Sequence, residues 1–158
     1  MSGIAAAQAK SQFAQVLVVD DDDDIRWAMQ ELLAGAGYSS EGAANGRFAL
    51  DRLQSSPDVP VLILLDLMMP QMNGVEFLDR IDAEYGLRFI PVALMSAHPD
   101  VGHAFAGREA PFGPFFLLPK PIDVTKLFTI VADLLFPRSS FSVAPRRAHG
   151  PPPPVTGT

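Results

Sequence analysis

The chain has 158 residues, of which 48% are apolar and 19% charged, and it contains no cysteine. This size and composition are typical of one folded domain with its own core, and they exclude disulfides, thiol catalysis and thiolate metal sites. No apolar run approaches the roughly 20 residues of a membrane span, and the opening segment MSGIAAAQAKSQF lacks a signal-peptide core. We therefore expect a cytoplasmic protein without membrane contact.

The net charge of −6 is unevenly distributed along the chain. Residues 137–158 carry three arginines and no acidic residue, so the remainder carries −9. An acidic body argues against nucleic-acid binding by the folded part. The composition predicts a flexible segment over 1–13, one folded domain over 14–136, and a disordered tail rich in proline and arginine over 137–158.

The first half of the folded region alternates between strand and helix signals. QVLVV at 15–19 is a continuous apolar stretch, which predicts a strand buried on both faces of a parallel sheet. Apolar residues at helical spacing follow until the GAG sequence at 35–37, which stops the helix. A weaker strand at 38–44 and a short helix at 47–54 come next. VLILLD at 61–66 is the strongest strand signal of the chain.

The second half repeats this alternation. A third helix opens at Asn73 and leads to a fourth strand at 89–96. The stretch at 101–113, VGHAFAGREAPFG, predicts a poor helix interrupted by two glycines. A short strand at 115–118 and an amphipathic helix at 124–135 close the domain. Five strands alternating with five helices predict an α/β fold, a single doubly wound parallel sheet covered on both faces.

Polar side chains follow four of the five predicted strands, while the second strand, ending in AANG, offers little. They are Asp20 and Asp21 after the first strand, Asp66 at the end of the third, Ser96 at the end of the fourth and Lys120 after the fifth. In such sheets ligands bind beyond the carboxyl ends of the strands, so these side chains are expected to converge. Carboxylates suit Mg²⁺, and a lysine with a hydroxyl suits a phosphoryl group. The next three aspartates are expected to begin a helix, where negative charge is favoured.

With these segments in place, the chain resembles the receiver domains of two-component response regulators. The resemblance covers residues 15–136 and is carried by VLVVDDDDDIR, LLDLMMPQMNG, ALMSAH and LPKPID, in the family's order and approximate spacing. It implies a flavodoxin-like fold with strand order 2-1-3-4-5 and Mg²⁺ or Mn²⁺ as the cofactor. It also implies a phosphoacceptor signalling protein rather than an enzyme, with self-catalysed phosphotransfer and autodephosphorylation only.

The resemblance assigns roles residue by residue. Asp66 would be the phosphoacceptor, attacking a phosphohistidine on a sensor histidine kinase or a phosphotransfer protein. Asp21 would be a direct metal ligand and Asp20 an outer one, with Asp66 and the backbone carbonyl of Met68 completing the protein ligands. Lys120 would supply the counter-charge for the phosphoryl group.

Further assignments concern the switch and the lifetime of the phosphorylated state. Ser96 corresponds to the switch hydroxyl, and Phe116 to the aromatic residue that follows its motion, here without the hydroxyl that many members carry. Met68 and His98 occupy the two variable positions that tune the lifetime of the acyl phosphate. The peptide bond before Pro121 is typically cis in this family.

Three functions remain open at this point. Only 22 residues follow Phe136, too few for a DNA-binding output domain, so the leading hypothesis is a stand-alone receiver that signals by phosphorylation-controlled binding to an unidentified protein. A second is a receiver-like module that binds its partner without phosphorylation. A third is a small magnesium-dependent phosphatase with Asp66 as nucleophile. Such enzymes usually need another acid two residues later, where this chain has Met68.

Overall fold

The computed structural model describes residues 16–56, 58–85, 90–98, 100–101 and 115–136. Five strands and four helices lie within these residues. They are β1 (Val16–Val19), α1 (Asp23–Gly35), β2 (Ser40–Ala43), α2 (Gly46–Ser55), β3 (Leu62–Asp66), α3 (Gly74–Tyr85), β4 (Val92–Ser96), β5 (Phe115–Pro119) and α4 (Val124–Leu135). The predicted helix at 101–113 and both predicted terminal segments lie outside the described residues, apart from Val101.

All the strands are parallel and form one sheet in the order β2-β1-β3-β4-β5. This confirms the doubly wound five-stranded fold and its expected strand order. The register aligns the carboxyl ends of the strands, because Val19 lies between Ala43 and Leu65, and Ser96 lies beside Pro119. The residues that follow these strands therefore meet at one edge of the sheet.

Successive strand residues face opposite sides of the sheet, and each side has its own apolar core. Leu17, Val19, Ile63 and Leu65 pack with residues of α2 and α3. Val16, Val18, Leu62 and Leu64 pack with residues of α1 and α4. Burial on both faces explains why β1 and β3 are continuous apolar runs rather than alternating ones. No described helix has the length and apolar character to cross a membrane.

Two strands, β2 and β4, begin two and three residues later than the sequence predicts. β2 begins at Ser40 because Gly37 and Tyr38 complete the C-terminal cap that follows α1. Gly37 has φ +86°, and Tyr38 N–H donates to the Leu33 carbonyl at 2.9 Å. This is a Schellman-type helix end, and it confirms that GAG stops the helix. β4 begins at Val92 because Pro91 has no N–H to give to a ladder, although its carbonyl accepts from Ile63 N–H.

Candidate functional site

An open pocket of about 300 Å³ lies at the carboxyl edge of the sheet. Its lining residues come from the ends of β1, β3, β4 and β5 and from the start of α1: Asp20, Asp21, Asp22, Ile25, Asp66, Met68, Ala97, His98 and Lys120. The structure thus brings together six residues that the sequence singles out, namely Asp20, Asp21, Asp66, Met68, His98 and Lys120. The pocket lies at the edge of the sheet where the strand-end rule predicts ligand binding.

Asp20 is the buried carboxylate of the pocket, with 0% of its surface exposed. Its Oδ1 accepts a hydrogen bond from Asp22 N–H at 2.9 Å. No hydrogen-bond donor reaches the buried Oδ2 in the part of the chain that the structure describes, and the Lys120 ammonium lies 3.6 Å away. Burial raises the pKa of Asp20 above its usual value, helped by the nearby charges of Asp66 and Asp21, while the Asp22 hydrogen bond and Lys120 oppose the increase.

Asp66 is the last residue of β3 and is also buried, with 5% of its surface exposed. Its Oδ1 lies 3.5 Å from Lys120 Nζ and accepts a hydrogen bond from Met68 N–H at 3.3 Å. Lys120 therefore lies between the carboxylates of Asp20 and Asp66, at the end of β5. The peptide bond from Lys120 to Pro121 is cis, as the resemblance implies.

The carboxylates of Asp20, Asp21 and Asp66 form a cluster in which one oxygen of each lies within 4.8 Å of the others. Like charges at this spacing repel, and a single ammonium neutralises only part of the charge. The all-oxygen donor set suits Mg²⁺, which needs few carboxylates and keeps several waters. The buried Oδ2 of Asp20 has no hydrogen-bond donor among the described residues, and a cation could be coordinated by such an atom. The residues present therefore fit a divalent cation.

The other three aspartates of the run begin α1, as the sequence predicts. Asp22 is the N-cap, and its side chain accepts hydrogen bonds from Asp24 N–H and Ile25 N–H at 2.9 and 3.1 Å. Asp23 and Asp24 lie in the first turn, where the helix dipole favours negative charge. Of the five aspartates, Asp20 and Asp21 thus face the pocket and the other three begin α1. The favourable interaction of these three with the helix N-terminus offsets part of the repulsion within the run.

The predicted switch residues lie at different depths. Ser96 is buried at the end of β4, and its Oγ accepts a hydrogen bond from His98 N–H at 3.0 Å, so it is next to the pocket but does not line it. Phe116 is half-buried in β5 beside Ala93, within the core formed with α1 and α4, and it does not line the pocket either. The Met68 side chain lies at the pocket mouth, 68% exposed.

Sequence reasoning missed two residues that shape this edge. Asn45 is buried and caps α2 by accepting from Phe48 N–H, while its Nδ2 donates to Gln71 Oε1 at 3.3 Å. An Asn before a helix is a recognisable cap, but its link to Gln71, whose φ is +68°, depends on the folded loop. Arg26 is the second, and its Nη1 donates to the Asp20 carbonyl at 2.7 Å.

Comparison with known proteins agrees with this geometry. The family model for the response regulator receiver domain matches residues 16–132. The chain is 38% identical over 117 residues to the DNA-binding transcriptional regulator NtrC of Escherichia coli K12, covering 73% of this chain and 24% of that protein. It is 35% identical over 121 residues to the response regulator MprA of Mycolicibacterium vanbaalenii, covering 77% and 50%. The chain therefore spans between a quarter and half of the length of these relatives.

Solved structures give the same result. The chemotaxis protein CheY4 of Vibrio cholerae is similar with a TM-score of 0.64 and 29% identity, over 77% of this chain and 98% of that one. The BeF3-activated receiver domain of nitrogen regulatory protein C is similar with a TM-score of 0.61 and 35% identity, over 78% and 95%. Sequence, fold and strand-end chemistry agree, and this chain belongs to the receiver domain family of two-component response regulators.

Proposed function

We propose that this chain is a magnesium-dependent phosphoacceptor that takes a phosphoryl group on Asp66 from a sensor histidine kinase or a phosphotransfer protein. The observation that supports this most strongly is the position of the Asp66 carboxylate, which lies 3.5 Å from the Lys120 ammonium and within one cluster with Asp20 and Asp21. A nucleophile, a counter-charge and a cation-binding set thus occupy a single pocket.

In the proposed reaction an oxygen of Asp66 attacks the phosphorus of a phosphohistidine on the partner. The P–N bond breaks, the imidazole leaves with the electron pair, and an acyl phosphate forms on Asp66. The Lys120 ammonium interacts with the charge on the transferred group. Asp20, Asp21, Asp66 and the Met68 backbone carbonyl would hold Mg²⁺, which supplies charge neutralisation when bound.

The same proposal includes the conformational response to phosphorylation and the resulting output. The Ser96 hydroxyl would turn toward the phosphoryl group, and Phe116 would follow by repacking within the half-buried β5. Met68 and His98 are at the pocket mouth, where their side chains would control how water reaches the acyl phosphate and hence its lifetime. Output would be phosphorylation-controlled contact with another protein and not with DNA, which the acidic charge of the body would repel.

Incubation with Mg²⁺ and acetyl phosphate followed by intact mass spectrometry tests the proposal. We expect the wild type to gain the mass of one phosphoryl group and Asp66→Asn to gain none. Asp133→Asn is the matched control, because Asp133 is exposed on α4 and outside the pocket. A wild type without added mass would favour a module that binds its partner without phosphorylation.

Two further measurements separate the remaining alternatives. A phosphatase with Asp66 as nucleophile would hydrolyse p-nitrophenyl phosphate over many turnovers, whereas a receiver would not. Pull-downs of wild type and Asp66→Asn, each with and without a beryllofluoride phosphoryl mimic, test the output. A partner retained equally in all four samples would contradict control by phosphorylation.

A further inference from the structure

We propose that Arg26 of α1 is a positioning residue that directs the acidic pair Asp20 and Asp21 into the metal pocket by holding the Asp20 backbone carbonyl. The inference rests on the proposed function, because it concerns cation binding at the same site. It assigns a role to a residue whose side chain does not line the pocket.

The contacts of Arg26 run in two directions. Its Nη1 donates to the Asp20 carbonyl at 2.7 Å, and its Nη2 pairs with the Asp23 carboxylate. Only 18% of the Arg26 side chain is exposed, whereas 84% of the Asp23 side chain is exposed. The guanidinium therefore joins the end of β1 to the first turn of α1. Its planar group of donors suits this task, since two acceptors are held in fixed directions.

This contact matters because it fixes a peptide group. Asp20 N–H donates to the Ala43 carbonyl at 3.2 Å, and Asp20 Oδ1 accepts from Asp22 N–H. The carbonyl held by Arg26 belongs to the peptide that links Asp20 to Asp21. Within the described part of the chain no hydrogen bond or ion pair holds the exposed Asp21 carboxylate, so the direction of Asp21 follows the backbone. Releasing that carbonyl would let the peptide rotate.

β2 makes room for this arrangement at Gly42. A Cβ atom at Gly42 would lie 3.0 Å from Arg26 Cδ, 3.2 Å from Arg26 Cγ and 2.8 Å from Gln30 Oε1. The stem of Arg26 thus crosses the edge strand where a side chain is missing. Gly42 offers a way to displace Arg26 without changing any charge, and it lies on a different element.

A purely electrostatic effect of Arg26 and a positioning role predict opposite changes in Mg²⁺ affinity when its guanidinium is removed. Arg26 is a cation beside a site for a cation, so by charge alone its removal would strengthen Mg²⁺ binding. If Arg26 orients the ligands, its removal weakens binding, and loss of residues that orient metal ligands typically weakens metal binding about 10- to 100-fold. The direction of the change therefore separates the two roles.

The test measures the Mg²⁺ dissociation constant of the full chain by isothermal titration calorimetry. Arg26→Met keeps the apolar stem and a good helix former while removing the guanidinium, and Gly42→Val displaces the stem while keeping all charges. Arg47→Met is the matched control, because Arg47 is an exposed arginine on α2 paired with Asp51. Circular dichroism of each metal-free variant checks that it is folded, and each variant tests the inference independently.

We expect the dissociation constant to rise about tenfold in Arg26→Met. It should also rise in Gly42→Val and stay at the wild-type value in Arg47→Met. Unchanged or tighter Mg²⁺ binding in either Arg26→Met or Gly42→Val would overturn the inference. If the wild type binds Mg²⁺ and is phosphorylated, the proposed function stands whatever these variants do. If the wild type does neither, the proposed function fails and this inference fails with it.

Discussion

At the scale of single residues, the pocket combines a buried carboxylate with a cation that compensates it only in part. Asp20 is buried and close to the carboxylates of Asp66 and Asp21. Among the described residues, only Lys120 and one backbone N–H favour its charged form. Such a group destabilises the metal-free fold and favours a bound cation. Functional sites often contain charged groups that lower the stability of the ligand-free fold but favour binding of the ligand.

Asp20→Asn should therefore stabilise the metal-free protein at neutral pH. Because burial raises the pKa of Asp20 in the folded state, the folded chain keeps that proton to a higher pH than the unfolded chain, and stability falls as pH rises through this window. Asparagine removes the buried charge and its repulsion by the Asp66 and Asp21 carboxylates, so we expect the unfolding free energy to rise by about 1 kcal/mol at pH 7. Urea unfolding with a chelator measures it.

Two controls accompany this prediction. Below pH 3.8, the ordinary pKa of an aspartate carboxyl, the stability difference between the two proteins should shrink, because Asp20 is then protonated in both the folded and the unfolded wild type. Saturating Mg²⁺ should stabilise the wild type more than the variant, since a ligand of the folded state stabilises in proportion to its affinity. A variant less stable than the wild type at pH 7 without metal would contradict the account.

Lys120→Met should separate cation binding from phosphorylation. The Lys120 ammonium lies 3.6 Å from Asp20 and 3.5 Å from Asp66, so its loss raises the negative charge of the pocket and should tighten Mg²⁺ binding. If Lys120 is the proposed counter-charge for the transferred group, the same loss should slow phosphorylation by acetyl phosphate about 100-fold. Initial rates at saturating Mg²⁺ measure this. A rate close to that of the wild type would show that Lys120 is not the counter-charge.

At the scale of elements, the start of α3 is packed directly against the end of β3. Gly74 N–H donates to the Leu67 carbonyl at 3.1 Å. A Cβ at Gly74 would lie 2.9 Å from the Asp66 carbonyl oxygen, a backbone atom that cannot move away cheaply. The first residue of α3 can therefore lie this close to the backbone of Asp66 only because it has no side chain.

Gly74→Ala should cost about 1–3 kcal/mol of unfolding free energy, as overpacking does, and should also slow phosphorylation because Asp66 moves. Gly35→Ala is the matched control, since Gly35 is also at a helix end but a Cβ there would meet nothing within 4 Å. We expect the control to be neutral or stabilising by about 0.5 kcal/mol. Equal stability changes in the two variants, measured by urea unfolding, would contradict this packing argument.

The elements also show what can be read from a sequence. Four strand ends were predictable because buried parallel strands are continuous apolar runs and because a polar residue marks each end. Asp66 and Ser96 are the last residues of β3 and β4, and Asp20 and Lys120 directly follow β1 and β5. The strand order came from family resemblance, since crossover rules alone leave several orders possible. The position of Arg26 could not be predicted, because its contact with Asp20 depends on how α1 lies over β2 at Gly42.

At the scale of the whole molecule, the sheet divides into central and edge strands. β1, β3 and β4 are buried along their full length and have a strand on each side, whereas β2 and β5 are edge strands with partly exposed residues. Amides in the central strands should exchange with solvent only through global unfolding, and those in the edge strands through local opening. The pocket contains residues from both an edge strand and a central strand, because Lys120 follows edge strand β5 and Asp66 ends central strand β3.

Hydrogen exchange with and without Mg²⁺ and beryllofluoride should reveal this connection. A ligand that binds only the folded state raises the global unfolding free energy, so amides of β1, β3 and β4 should all slow by the same factor. Amides of β5 exchange by local opening and slow only if that opening disrupts the site. We expect them to slow as well, because opening β5 would displace Lys120 from Asp20 and Asp66. Slower exchange in the central strands with β5 unchanged would contradict this coupling between β5 and the pocket.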